Sequence, residues 1–148
     1  MADQGFVVNT AVVTGIQTTY VSVLMEAGSL AAIGIDARAK ALPQSCYLSH
    51  LELKLDETAG TVATVDCYLT WDLAGNEPLT AAATGVTLHA GSPGGDTSLR
   101  NTAIALDVWV NAPTAQTTAG TVYLWLKIGG GGTATLTDAR IQWVSRHD

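Results

Sequence analysis

Charged side chains are scarce in this sequence: 7 Lys and Arg and 13 Asp and Glu, or 14% of 148 residues. Disorder requires high charge with low hydrophobicity, and here hydrophobic residues reach 47%. The few basic residues are also scattered. Nucleic acid and anionic membrane surfaces are bound through clustered Lys and Arg, so neither is an expected partner. A net charge of −6 points the same way. No apolar run approaches the ~18 residues of a membrane span, and the stretch Val21 to Ile35 is interrupted by Glu26 and Gly28. The opening residues Met1 to Gly5 carry no Lys or Arg, so no secretory signal is expected. Asn9, Asn76, Asn101 and Asn111 all lack the Ser or Thr of a glycosylation sequon. The expectation is a protein made and assembled in a cytoplasm. Only two cysteines occur, Cys46 and Cys67, each in an apolar run. They read as small buried hydrophobes, with a disulfide between them as the alternative.

What is present is β-strand patterning. Residues 1–15 read as an extended N-terminal arm whose apolar spot is Phe6-Val7-Val8. Such an arm docks by adding a strand to a neighbour. Residues 16–148 read as a single domain, the size that one core supports. A β-branched run spans Ile16 to Met25, and a weaker strand is expected near Leu30–Ile35, where Gly28 and Gly34 oppose helix. Leu51-Glu52-Leu53-Lys54-Leu55-Asp56 alternates with period two. A turn at 56–60 leads to a strand with Val65, Cys67, Leu69 and Trp71 on one face. Thr64, Asp66, Tyr68, Thr70 and Asp72 fall on the other. Val86 to Ala90, Ile104 to Val110, Val122 to Ile128 and Asp138 to Val144 complete about eight strands. Turn signals at 74–78, 91–96, 111–120 and 129–132 separate them. The expected fold class is all-β: a two-sheet antiparallel sandwich, jelly-roll-like, with no helix. The pentapeptide Thr58-Ala59-Gly60-Thr61-Val62 recurs as Thr118-Ala119-Gly120-Thr121-Val122. That echo suits two Greek keys and equally suits chance in a Thr-, Ala- and Gly-rich chain.

No arrangement points to catalysis. His50 and Glu52 share a strand face, but zinc requires a third ligand. Gly91-Ser92-Pro93-Gly94 is not a nucleophile elbow. Gly129 to Gly132 lacks the Lys and the helix of a phosphate loop and reads as a hairpin turn. The expectation is therefore no enzyme, no metal and no cofactor. The exposed candidates are aromatic: Tyr68, Trp109, Tyr123 and Trp125 on outer faces, near Asp66, Asp72 and Asp107. Aromatics beside acids suit a carbohydrate-binding module; aromatics among neutral residues suit a subunit interface. The interface is the preferred reading, because so few charges clothe a small domain poorly unless another subunit covers part of it. The interface residues expected are Phe6, Val7, Val8, Tyr68, Trp109, Tyr123 and Trp125.

In length, acidic low-charge composition, Ala-, Thr-, Gly- and Val-rich strands and extended arm, the chain resembles the capsid decoration, or cement, proteins of tailed bacteriophages. The resemblance is one of type along the whole chain and matches no diagnostic motif, so it assigns no residue a role. It implies a jelly-roll or β-sandwich subunit, a homotrimer seated on the major capsid protein of a virion, with no chemistry of its own.

Overall fold

The structure, a computed structural model, describes residues 4–9, 11–26, 43, 45–74, 79–80, 83–90, 99–111, 121–129 and 131–145. Among these residues every regular element is a strand: β1 (Gln4–Asn9), β2 (Val13–Ile16), β3 (Val21–Glu26), β4 (Ser45–Ala59), β5 (Thr64–Thr70), β6 (Ala83–Thr87), β7 (His89–Ala90), β8 (Leu99–Asn111), β9 (Val122–Gly129) and β10 (Thr133–Ser145). The strand expected near Leu30–Ile35, the loops at 91–96 and 112–120 and the tail at 146–148 lie outside the described residues. The sequence turn at 56–60 shifts: β4 runs on to Ala59, and the chain reverses at Gly60, whose φ is +65°. The run from Ile16 to Met25 is two pieces, ending β2 and forming β3, because residues 17–20 carry the chain between neighbours. Gln17 there accepts a 2.7 Å backbone bond from Ile128 of β9.

All pairing is antiparallel and the strands form one 10-stranded sheet, in the order β6-β5-β9-β3-β1-β10-β4-β8-β7, with β2 also on β10. β10 is the spine. β4 covers one of its edges from Ala59 to Cys46. Its other edge is shared by β1, in register Gln4↔Val144 to Val8↔Arg140, and by β2. A short pairing of Val8 with Glu26 and of Asn9 with Met25 joins this half to β3-β9-β5-β6. The sheet nearly closes on itself. Leu79 and Ala83 on the β6 side and Ile104, Leu106 and Val108 of β8 line a shared cavity of about 280 Å³. The order is consistent with a jelly roll, although hydrogen bonding is continuous where two separate sheets were expected.

Alternation builds the core. Val122, Leu124, Leu126 and Ile128 of β9 are all buried, as are Leu51, Leu53 and Leu55 of β4. At roughly 1.5–3 kcal/mol per buried aliphatic side chain, these two rows contribute much of the hydrophobic stabilisation. Bulges keep the faces in phase. On β4, Cys46 and Leu48 point inward, and so do Leu51, Leu53 and Leu55, because Ser49 is an extra residue opposite the Gln142–Trp143 step of β10. On β10, Thr137 is extra, which moves the inward set from Leu136 to Ala139, Ile141 and Trp143. The backbone N–H that this bulge leaves at Ala139 donates to Asn9 Oδ1 at 2.7 Å.

Within the stretch expected to be an arm, the described strands pair inside the chain. Residues 4–9 and 13–16 are strands of the chain's own sheet, and Val7 and Val8 are buried in it.

Candidate functional site

The outer face of β5, β9 and β3 carries most of the predicted aromatics. Register sets Asp66 opposite Lys127, Tyr68 opposite Trp125 and Thr70 opposite Tyr123. Tyr68 and Trp125 stack with centroids 5.8 Å apart and planes 5° from parallel. Tyr20, just before β3, meets Tyr68 edge-on at 5.0 Å. Lys127 Nζ stands 4.7 Å over the Tyr20 ring and 3.8 Å from Asp66 Oδ2. Asp66 Oδ1 also accepts from the Gly85 N–H at 2.7 Å. Burial first, then the Asp66 charge, pushes the Tyr20 phenol above its ordinary value. The Trp125 indole N–H donates to Thr70 Oγ1 at 2.8 Å, and the Thr70 hydroxyl donates to the Asp72 carbonyl at 2.8 Å. Thr70 is thus an outer-face residue that the indole has sealed to 1% exposure. Rings whose faces and edges engage each other form a cross-strand ladder, a device that stiffens a sheet. Tyr20 was not singled out from sequence; its signal is an aromatic at the head of a strand run, which tells nothing of the ring it will meet.

Trp109 stands elsewhere. It is on β8, which pairs with β4 and β7 and not with β9. Its neighbour is Tyr47 of β4, directly opposite in register, with centroids 5.3 Å apart and planes tilted 51°. The four predicted aromatics therefore divide: Tyr68, Tyr123 and Trp125 share a face, and Trp109 pairs with a tyrosine that sequence reasoning missed. The Trp109 side is also the more open, at 53% exposure, alongside Val12 and Leu73 among exposed large hydrophobics. The step from Val108 to Ala105 faces the step from Leu48 to His50, so Leu106 and Asp107 together oppose Ser49. Asp107, in this bulge, has φ +47°, the left-handed region that non-glycine residues seldom occupy. The Tyr47 hydroxyl donates to Asp107 Oδ1 at 2.6 Å, which pushes the Tyr47 phenol above its ordinary value.

The remaining candidates separate as follows. Phe6 is half-buried, whereas Val7 and Val8 are 0% and 2% exposed, and Val7 packs in the hydrophobic core. The reason is register: β1 had a partner edge within the chain, that of β10. Asp72 holds Thr70 through its carbonyl. His50 Nε2 and Glu52 Oε1 are 3.0 Å apart, with Ser49 Oγ 3.0 Å from His50 Nδ1. Among the described residues no three of His, Cys, Asp and Glu gather as a metal site. Cys46 and Cys67 are free thiols, and burial pushes each up to about 11.

No family model matches the sequence, and no curated protein matches it. Among solved structures, the chain is similar to one in the capsid asymmetric unit of cyanophage Pam1, at 10% identity and TM-score 0.47, covering 98% of this chain and 86% of that one. It is also similar to a chain of broad bean stain virus, at 8% identity and TM-score 0.34, covering 100% of this chain and 86% of that one. Both TM-scores fall below 0.5.

Proposed function

We propose that this chain is a structural subunit of a virion, a capsid decoration protein that binds other protein surfaces and holds them together. The observation that carries the reading is Trp109, an indole 53% exposed on a domain only 14% of whose residues are charged. Interfaces are enriched in such aromatics and concentrate their energy there. Val12 at 60% and Leu73 at 59% exposure add apolar surface suited to the same use. In this reading the β1/β2-β10-β4-β8 and β3-β9-β5-β6 halves pack as the two layers of a jelly roll, and three copies form the working unit. A trimer seats on the major capsid protein of a bacteriophage, and assembly takes place in the host cytoplasm. The protein acts as a clamp and performs no chemistry. The arm is not the clamp, because β1 is committed to its own sheet.

The test is the solution mass of the full chain by light scattering over a dilution series, with the chain then co-expressed with major capsid protein. A trimer that appears in the shell fraction is expected. A chain that stays a monomer at every concentration and never joins a shell overturns the proposal. The carbohydrate alternative has Trp109 and Trp125 as its sugar platforms, and the ladder weakens it at Trp125, which is stacked on Tyr68 with its N–H engaged by Thr70, leaving Trp109 to that reading.

A further inference from the structure

We propose that the corner formed by Trp109, Tyr47 and Asp107 is a seat for a cationic side chain, an arginine above all, presented by a different protein of the same assembly. This rests on the assembly reading and adds the chemistry of the partner. The two rings meet at 51°, so they form a corner rather than a flat shelf. The face of an indole or phenol attracts a cation, and a guanidinium also stacks on it. Beside them stands the Asp107 carboxylate, which suits a charge-assisted or bidentate bond to the same guanidinium.

The corner is arranged before any partner arrives. The Tyr47 hydroxyl fixes the carboxylate at 2.6 Å, and Asp107 and Trp109, two positions apart on β8, are both exposed. Asp107 holds its left-handed φ of +47°, a conformation that an aspartate tolerates better than most residues but still at a cost. Groups fixed in place lose less freedom on binding, which favours affinity.

Charge identifies the occupant. Four basic side chains are described, and three already face acids of their own chain. Arg100 is 3.3 Å from Glu57, Lys127 is 3.8 Å from Asp66, and Arg140 is 3.1 Å from Asp138. The fourth, Lys54, alternates along β4 with Glu52 and Asp56. Over the whole sequence 7 Lys and Arg stand against 13 Asp and Glu, so a second copy, with net charge −6, is a poorer source of a cation than a protein with a basic surface. A partner with a basic surface supplies one, and opposite charge also speeds the encounter.

The test uses the full chain with 15N-labelled tryptophan, the Trp109 indole signal being identified by its loss in Trp109→Phe. N-acetyl-arginine amide is titrated, then its uncharged isostere N-acetyl-citrulline amide, then methyl glucoside and methyl galactoside. The expected result is a saturable shift with the arginine compound, weakened roughly tenfold for citrulline and for Asp107→Asn. Asparagine also tolerates the left-handed region, so that variant keeps the bulge. Equal response to citrulline, or indifference to Asp107→Asn, overturns the seat. A shift with a glycoside alone overturns it in favour of a sugar site. The assembly reading has separate readouts, solution mass and shell association. If Asp107→Asn leaves both unchanged while the Trp109 signal ignores arginine, the seat fails and the assembly stands. If arginine binds as expected but the chain never assembles, the seat stands as a cation site and the assembly reading fails.

Discussion

Replacing Thr70 by valine probes whether the aromatic ladder is a structural brace. The two side chains are nearly isosteric, so packing changes little. What is lost is the hydroxyl that accepts from the Trp125 indole at 2.8 Å and donates to the Asp72 carbonyl at 2.8 Å. A typical hydrogen bond contributes about 1 kcal/mol net, and removing one partner inside a sealed site strands the other. Thr70 is 1% exposed, so water does not easily replace it. The two bonds together give an expected loss of about 2 kcal/mol. For a chain of this length that lowers Tm by about 6 °C, at ~3 °C per kcal/mol. Thr70→Ser keeps both bonds and loses one methyl, about 0.8 kcal/mol. Urea denaturation followed by far-UV circular dichroism measures both variants. A double-mutant cycle with Trp125→Phe, which keeps a ring and removes the donor, isolates the indole bond with an expected coupling of about 1 kcal/mol. If Thr70→Val proves no more destabilising than Thr70→Ser, and the cycle shows no coupling, the ladder is not braced in this way and its rings are freer for a ligand.

Deleting residues 1–9 removes β1 from the edge of β10 and strips Val7 and Val8 from the core, so loss of the cooperative thermal transition is expected. A truncated chain that melts like the parent restores the view of these residues as a dispensable arm. In the Gly129–Gly132 turn, alanine at 132 puts a Cβ 2.5 Å from Val62 Cγ2 and 2.7 Å from the Thr61 carbonyl, whereas at 131 nothing lies within 4 Å. Gly132→Ala is expected to cost roughly 1–3 kcal/mol and Gly131→Ala less than about 0.5 kcal/mol, both by chemical denaturation. Cys46 and Cys67 stay protonated up to about 11 in the fold, against 9.0 ordinarily. The unfolded chain releases those protons first, so stability is full below about pH 9 and declines from there towards about 11. Melting temperature against pH tests the sign, and a thiol reagent at pH 8 is expected to label neither cysteine until denaturant is added.

Strand positions were legible wherever a run alternates without interruption. Leu51-Glu52-Leu53-Lys54-Leu55 and Val122 to Ile128 bury the side chains that their period predicts. The faces of β5 were also readable, with Val65, Cys67, Leu69 and Trp71 buried on one side. The limits of alternation show at the bulges. Inward positions 46 and 48 are even and 51, 53 and 55 are odd, a phase jump that makes sense only once Ser49 is seen as an extra residue against β10.

The sequence by itself determined a low-charge, all-β chain with two buried thiols and a set of outer-face aromatics, because composition and a period of two are local properties. Which aromatics meet was decided by tertiary pairing alone. Register set Trp125 on Tyr68 and Trp109 on Tyr47, and it enlisted β1 as a strand of its own sheet where an outgoing arm was expected. A strand's side-chain direction follows from its own residues, but its neighbour follows from which edge of which other strand is open to it. That choice is made among residues far apart in the chain, such as Val8 and Arg140, and no short window contains both.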